Sequence, residues 1–154
     1  MSQLPQRSRP CKGVIKVDER STLVFVTVGT ALRIPWLANP EVHSVLRDVW
    51  FRANRWETGI YVLMPDHLHL FAWPGEVEHS LDDWIRYWKS QATKRLGPAL
   101  CRWQGVSFHH TIRSSESAEA KRAYIVQNPV RCGLVAKPED WPYQCEIFPR
   151  REWW

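Results

Sequence analysis

The distribution of apolar residues along the chain predicts four β-strands. Each strand is a short run in which β-branched, aromatic and other apolar side chains dominate. The predicted strands are residues 22–28, 59–64, 67–73 and 106–113. Only Pro65 and Asp66 separate the second strand from the third, which indicates a tight turn and an antiparallel hairpin.

Apolar residues at intervals of three and four predict three helices between and after these strands. Asn39 is a suitable N-cap for the first helix, and Ser80 for the second, which ends near Gly97. The third begins at Ser115 and is expected to end before Pro129, because proline disfavours helical geometry at the preceding residue. The apolar stripes of the first two helices include three tryptophans that are predicted to be core residues: Trp50, Trp84 and Trp88.

The resulting order, βαββαβα, predicts an α+β fold of the ferredoxin-like, split βαβ type. Four strands form one antiparallel sheet, both crossover helices pack on one face, and the third helix is free to cover the other. We expect a flexible basic arm at residues 1–20, one domain at residues 21–143, and a C-terminal tail at residues 144–154.

Composition narrows the class of protein. A chain of 154 residues suits one domain with a full core. The chain shows neither a membrane-spanning apolar stretch nor the apolar core of a signal peptide, and its four cysteines are scattered, so a cytoplasmic protein with reduced thiols is expected. The net charge of +5, together with ten tryptophans, favours polyanionic partners such as nucleic acid.

Two histidines in the stretch MPDHLHL carry the first candidate chemistry. On an extended strand His67 and His69 share one face, while Leu68 and Leu70 share the other. The two imidazoles would stand about 6 to 7 Å apart along the strand, close enough to share one cation but too far apart to hydrogen-bond directly. Taken alone, such a pair is more often a surface or hydrogen-bonded feature than a metal site.

The third helix supplies the partners that change this interpretation. Lys121, Tyr124 and Asn128 are three and four residues apart and therefore share a helical face, whereas Gln127 points about 100° away from Asn128. Two imidazoles and a carboxamide oxygen form an incomplete ligand set, which leaves positions on a cation for water or substrate oxygens. The tyrosine hydroxyl would remain available as a nucleophile.

Other candidates are weaker. His109 and His110 are adjacent, so they point to opposite faces of a strand and cannot both join one site; we interpret them as surface or DNA-contact residues. The Asp66 carboxylate could orient a metal-binding histidine, although its position in a Pro-Asp turn already explains this residue.

The combination MPDHLHL, YIVQNPVRCGLV and KPEDWPY resembles the REP-associated tyrosine transposases, a branch of the single-tyrosine HUH transposases. The resemblance covers roughly residues 21–143 and implies a ferredoxin-like domain that binds single-stranded DNA near a hairpin and cuts it with a tyrosine. It implies that His67 and His69 are metal ligands, that Asn128 is the third ligand, where relatives often carry glutamine, and that Tyr124 is the nucleophile. The implied products are a 5′-phosphotyrosine link and a free 3′-hydroxyl.

The same resemblance implies Mg²⁺ or Mn²⁺ as the cofactor, whereas two imidazoles suit transition metals better than Mg²⁺. The expected partner is single-stranded or hairpin DNA, the expected location is the nucleoid, and the protein is expected to be a monomer or homodimer. Four basic side chains are candidates for phosphate contact, with a solvated helix face as the alternative for the last two: Lys121, Arg131, Arg86 and Lys89.

Two other functions compete with a transposase. A related HUH relaxase or replication-initiator nuclease is disfavoured because the chain contains no recognisable helicase or additional domain. A non-catalytic ferredoxin-like protein that binds single-stranded nucleic acid would stack bases on aromatic side chains, but the aromatic pattern of RNA-recognition modules is not evident here.

Overall fold

The structure is a computed structural model that describes residues 22–149, so the predicted arm at 1–20 lies outside the described residues. An antiparallel sheet of five strands is combined with three α-helices. In chain order the elements are β1 (Leu23–Gly29), α1 (Pro40–Arg52), β2 (Trp56–Leu63), β3 (His67–Pro74), α2 (Leu81–Leu96), β4 (Phe108–Ile112), α3 (Ser115–Arg131) and β5 (Gln144–Glu146).

The strands are arranged in the order β4-β1-β3-β2-β5, and every neighbouring pair is antiparallel. The first and third strands are therefore neighbours at the centre, as a split βαβ arrangement requires. The predicted α+β fold is confirmed.

The helices begin at the caps that the sequence predicts. Asn39 Oδ1 accepts a hydrogen bond from the backbone N–H of Val42 at 3.0 Å, and Ser80 Oγ accepts one from Asp83 at 3.1 Å. None of the helices in the described part of the chain is both long and apolar enough to cross a bilayer.

Helices α1 and α2 cover one face of the sheet. Leu68 and Leu70 of β3 point into this layer and are fully buried, as period-two alternation predicts. The three predicted core tryptophans are confirmed, because Trp50, Trp84 and Trp88 are each at most 1% exposed.

Helix α3 covers the opposite face, above a second apolar cluster. The helix contributes Ala118 and Ile125, and the sheet contributes residues from four strands. The buried members from the sheet are Leu23, Phe25, Ile60, Val62, Phe71, Trp73 and Ile112. His67 and His69 alternate with the leucines of β3 and therefore lie on this second face.

Two local features differ from the sequence interpretation. Helix α3 runs through Pro129 to Arg131, so the expectation that it ends before Pro129 is wrong. Proline lacks one backbone N–H, and in the last turn of a helix this removes a single helical hydrogen bond. The turn is then closed by Cys132, whose N–H donates to the carbonyl of Asn128 at 3.0 Å.

The second difference is strand β5, which lies within the segment predicted to be a tail. Cys145 pairs with Tyr61 of β2, and beyond the strand the N–H of Phe148 donates to the carbonyl of Thr58 at 3.0 Å. A strand of three residues is too short for its alternation to be recognised in a sequence.

Gly59 in β2 packs directly against a tryptophan ring, which leaves no room for a side chain at this position. A Cβ atom at this position would lie 2.6 Å from Cζ3 of Trp73, which is 1% exposed and cannot easily move. We predict that Gly59→Ala destabilises the fold by about 1 to 3 kcal/mol, as overpacking of a core does. Chemical denaturation monitored by tryptophan fluorescence measures the change. Gly105→Ala is the matched control, because a Cβ there meets nothing within 4 Å, and an equal loss in both variants would contradict the explanation.

Candidate active site

The two histidines of β3 lie side by side beneath α3. Their ring centroids are 4.9 Å apart and their planes are inclined by 75°. The side chain of His67 is 24% exposed, whereas His69 is 5% exposed as a residue. The pair therefore reaches from the edge of the site into its interior.

His67 is oriented by the residue that precedes it. Its Nδ1 is 2.8 Å from Oδ1 of Asp66, and the other carboxylate oxygen of Asp66 is 3.0 Å from Nη2 of Arg33. Burial by itself would raise the pKa of Asp66, but the hydrogen bond to His67 and the charges of His67 and Arg33 outweigh it and lower the pKa. Asp66 is thus an ionised acceptor for the N–H at Nδ1 of His67, so that in the neutral form of this imidazole the lone pair is on Nε2.

His69 is held from the neighbouring strand. Thr27 of β1 stands opposite His69 in the sheet register, and its Oγ1 is 2.8 Å from His69 Nδ1. The ring of Phe25 stacks on the imidazole with centroids 5.2 Å apart and planes inclined by 21°. Nε2 of His69 is buried and has no hydrogen-bond partner.

The surroundings of His69 keep its imidazole neutral. Burial is the largest cause, and the positive charges of His67, Lys121 and Arg131 add to it, which together lower the pKa of His69 to about 3. In the tautomer in which Nδ1–H donates to Thr27 Oγ1, the neutral ring carries its lone pair on Nε2, the form in which histidine binds metals.

Tyr124 lies against this pair on α3. Its ring centroid is 5.3 Å from that of His69 and 6.2 Å from that of Phe25, and the residue is 40% exposed. Two cations lie over its ring: the Arg131 guanidinium carbon is 4.2 Å from the centroid, and Lys121 Nζ is 5.6 Å away. The fold thus brings together five of the predicted site residues: His67, His69, Lys121, Tyr124 and Arg131.

Asn128 is on the same helix but deeper. It is 3% exposed, its Oδ1 accepts a hydrogen bond from Cys132 Sγ at 3.5 Å, and its Nδ2 is buried without a partner. Gln127 is exposed, as the 100° rotation between adjacent helical residues requires. Within residues 22–149 no hydrogen bond joins Asn128 to either histidine, and no three His, Cys, Asp or Glu side chains form a group that could hold a metal.

Arg86 and Lys89 are not part of this cluster. Both lie on α2, which packs on the other face of the sheet, and they line a separate cleft of about 320 Å³. Arg86 Nη1 is 2.7 Å from Asp83 Oδ1, and Lys89 Nζ donates to the carbonyl of Gln104 at 3.0 Å.

The adjacent histidines of β4 point to opposite faces, as predicted. His109 Nε2 is 3.5 Å from Asp82 Oδ1 on the α2 side. His110 faces the tyrosine side, where its ring centroid is 5.3 Å from that of Phe25. Burial, followed by the charges of Lys121 and His109, lowers the pKa of His110. The two histidines therefore belong to different environments.

Phe25 and Thr27 are site residues that the sequence interpretation missed. Val24, Val26 and Val28 fill the α1/α2 side, so alternation alone assigns Phe25 and Thr27 to the other face. That signal was present in the sequence. Their contact with His69 depends on the register between β1 and β3, which a single strand pattern does not reveal.

Known proteins support the resemblance carried by the motifs, although no family model matches the chain. A protein of Haemophilus influenzae named as a REP-associated tyrosine transposase is 32% identical over an alignment of 114 positions, which covers 60% of this chain and 64% of the relative. The REP-associated tyrosine transposase of Escherichia coli is 31% identical over 100 positions, covering 65% of this chain and 57% of the relative. The chain thus spans less than two thirds of the length of either curated relative.

Solved structures agree with this result. A REP-associated tyrosine transposase bound to a REP hairpin superimposes with a TM-score of 0.73 and 26% identity, over 94% of this chain and 82% of the other. The chain is similar in sequence and in fold to REP-associated tyrosine transposases. A protein of Deinococcus radiodurans described as a transposase shares the fold, with a TM-score of 0.50 and 20% identity over 70% of this chain and 90% of the other.

The low pKa of His69 predicts that the stability of the protein depends on pH. Between about pH 6.5 and pH 3 the unfolded chain binds a proton at this histidine and the folded chain does not. The free energy of unfolding should therefore be fully retained above pH 6.5 and fall with decreasing pH, with a contribution from His69 of up to about 1.4 kcal/mol per pH unit.

Urea denaturation without divalent metal at several pH values measures this slope. A His69→Asn variant should show a shallower dependence, because the other titrating groups are common to both proteins. Identical slopes in the two proteins would contradict the assignment of a low pKa to His69.

Proposed function

We propose that the protein is a metal-dependent single-stranded DNA endonuclease and strand transferase that acts on hairpin DNA of the REP type. The observation that carries this proposal is the arrangement of a half-exposed Tyr124 phenol beside two histidines whose Nδ1 atoms are both engaged. The homology to REP-associated tyrosine transposases supports it, and the similar structure with a bound REP hairpin suggests the substrate.

A divalent metal fits the residues on this face. The buried Nε2 of His69 has no partner, and a polar atom left in that state costs free energy unless something else binds it. Asp66 and Thr27 contact the Nδ1 atoms of the two imidazoles, and metal-binding histidines are commonly oriented by such hydrogen bonds to their other ring nitrogen. We therefore propose His67 and His69 as ligands, and Asn128 as the third.

The metal would be Mg²⁺ or Mn²⁺. Nitrogen donors favour Mn²⁺ or another transition metal over Mg²⁺. A bound ion would polarise the scissile phosphate and neutralise its non-bridging oxygens, which matters because a neutral phenol is a weak nucleophile.

Tyr124 would carry the covalent step. A bond forms between its Oη and the phosphorus, the bond from phosphorus to the 3′ oxygen breaks, and the phenolic proton ends on that oxygen. The products are a 5′-phosphotyrosine and a 3′-hydroxyl, and rejoining is the same exchange in reverse. Since the DNA phosphorus moves from one ester to another, the reaction needs no external energy source.

Basic side chains would hold the DNA. Lys121 and Arg131 adjoin Tyr124 and are suited to phosphates near the cleavage point. Arg86 and Lys89 lie on the other side of the sheet, so any contact they make involves a different part of the hairpin. Such a protein, whether monomer or homodimer, would act in the cytoplasm on the nucleoid.

The alternative is a non-catalytic protein that binds single-stranded nucleic acid. It would use the same basic residues and the exposed aromatic rings, but it gives no reason for a neutral, partnerless imidazole nitrogen beside a tyrosine. Covalent chemistry separates the two functions.

We predict that Tyr124→Phe abolishes the covalent protein–DNA adduct and leaves hairpin binding within about twofold, because the ring and its packing remain. Denaturing gels with a labelled hairpin oligonucleotide detect the adduct, and fluorescence anisotropy measures binding. Tyr87→Phe is the matched control, since Tyr87 is 52% exposed on α2. If Tyr124→Phe still forms the adduct, the nucleophile is another residue. If the parental protein forms no adduct at any metal concentration, the result favours the non-catalytic binding protein.

We also predict that His67→Ala and His69→Ala each remove metal-stimulated cleavage. Loss of a group that only orients a metal ligand lowers activity roughly 10- to 100-fold, so loss of a ligand itself should have at least this effect. Asn128→Ala should lose less, because water can replace an amide oxygen. Cleavage rate is measured against Mn²⁺ concentration, with circular dichroism as the folding control.

His79→Ala serves as the matched substitution, because His79 lies beside Trp84 and Tyr87 on the α2 side of the sheet. It should cut at the parental rate. Parental metal dependence in the folded His67 and His69 variants would exclude the pair as the metal site.

A further inference from the structure

We propose that Arg131 is a positioning residue that holds the Tyr124 ring in the orientation needed for attack. This inference rests on the proposed function and adds a role for a side chain that the sequence suggested only as a phosphate contact. The observation behind it is that the same guanidinium contacts Tyr124 at two points, one on the ring and one on the backbone.

The geometry of these contacts is specific. The guanidinium carbon of Arg131 lies 4.2 Å from the Tyr124 ring centroid, and Nη2 donates to the carbonyl oxygen of Tyr124 at 3.3 Å. Residues seven apart share a face of an α-helix, and helical side chains point back toward the N-terminus, so Arg131 reaches Tyr124 from the last turn of α3. Contact with both the main chain and the ring limits rotation of the side chain about its Cα–Cβ and Cβ–Cγ bonds.

Tyr124 needs such a restraint because the sheet holds only part of it. The rings of His69 and Phe25 meet the tyrosine ring at 69° and 75°, which is an edge contact, and 40% of the residue remains exposed. An exposed tyrosine ordinarily samples several rotamers. The stacked guanidinium covers the π surface of the ring and favours one of them.

Arginine is better suited than lysine to this task. Its planar guanidinium can stack on the ring while one N–H bonds the carbonyl, and the remaining N–H groups stay available. A lysine would keep the positive charge but lose the planar stack. A phosphate contact that depends on charge therefore tolerates Arg131→Lys better than a positioning contact does, and this difference makes the proposal testable.

The first experiment compares Arg131→Lys with the parental protein on a hairpin oligonucleotide. At saturating DNA we expect the rate of adduct formation to fall on the order of 10- to 100-fold, the loss expected when a reacting group is misplaced by about 1 Å. The Kd from anisotropy and its dependence on salt should change by less than about twofold, because the charge is retained.

Arg122→Lys is the matched control, since Arg122 lies on the same helix and pairs with Glu146 at 3.2 Å instead of contacting Tyr124. It should retain the parental rate and Kd. If Arg131→Lys also forms adduct at the parental rate, or loses only affinity and salt dependence, the positioning role is wrong and Arg131 is a phosphate contact.

NMR tests the contact without relying on activity. A guanidinium over an aromatic ring shifts the δ-methylene protons of the arginine upfield, so Tyr124→Phe should keep this shift for Arg131 and Tyr124→Leu should lose it. An unshifted Arg131 in the parental protein would overturn the inference. Absence of adduct from a parental protein that shows the shift would instead reject the proposed function and the positioning role for attack, while leaving the ring contact itself established.

Discussion

The alternation of side chains along β3 is the constraint on which the rest of the structure depends. This strand lies at the centre of the sheet, and helices cover both faces of the sheet, so the side chains on each face of the strand pack against helices. Leu68 and Leu70 hold the α1/α2 layer, and between them His69 must point toward α3. A shift of one residue in register would exchange the leucines with the histidines and lose both the core and the candidate site.

The electrostatic character of the site follows from that placement. His69 is buried under α3 among cations, and for this reason its imidazole stays neutral while His67, nearer to the surface, pairs with an ionised Asp66. Lys121 and Arg131 make the same surface attractive to an anionic strand. Burial and positive charge therefore act in one direction, because both keep the His69 imidazole neutral. The same cations give this face of the protein a positive electrostatic potential.

The sequence was sufficient for those features that depend on local periodicity. Strand alternation placed the two histidines on one face, helical spacing placed Tyr124 and Lys121 on one stripe, and cap residues located the starts of α1 and α2. The contacts that cross the sheet depend on pairing register, and so the roles of Phe25 and Thr27 could not be read from their own strand alone. The predicted end of α3 was wrong because proline only disfavours helical geometry at the preceding residue, and here Asn128 remains helical.

The structure of the segment that follows α3 gives a reason for the KPEDWPY motif, which lies outside the candidate active site. In KPEDWPY, residues 138–140 form a single 3₁₀ turn. Trp141 Nε1 then donates a hydrogen bond to the carbonyl oxygen of Leu63 at 3.0 Å, and the N–H of Leu63 donates one to the carbonyl oxygen of Tyr143 at 2.8 Å. These bonds attach the returning chain to the edge of β2 and lead into β5. From there Glu146 reaches Arg122 on α3. The segment therefore attaches α3, which carries Tyr124, to the edge of the sheet through β5.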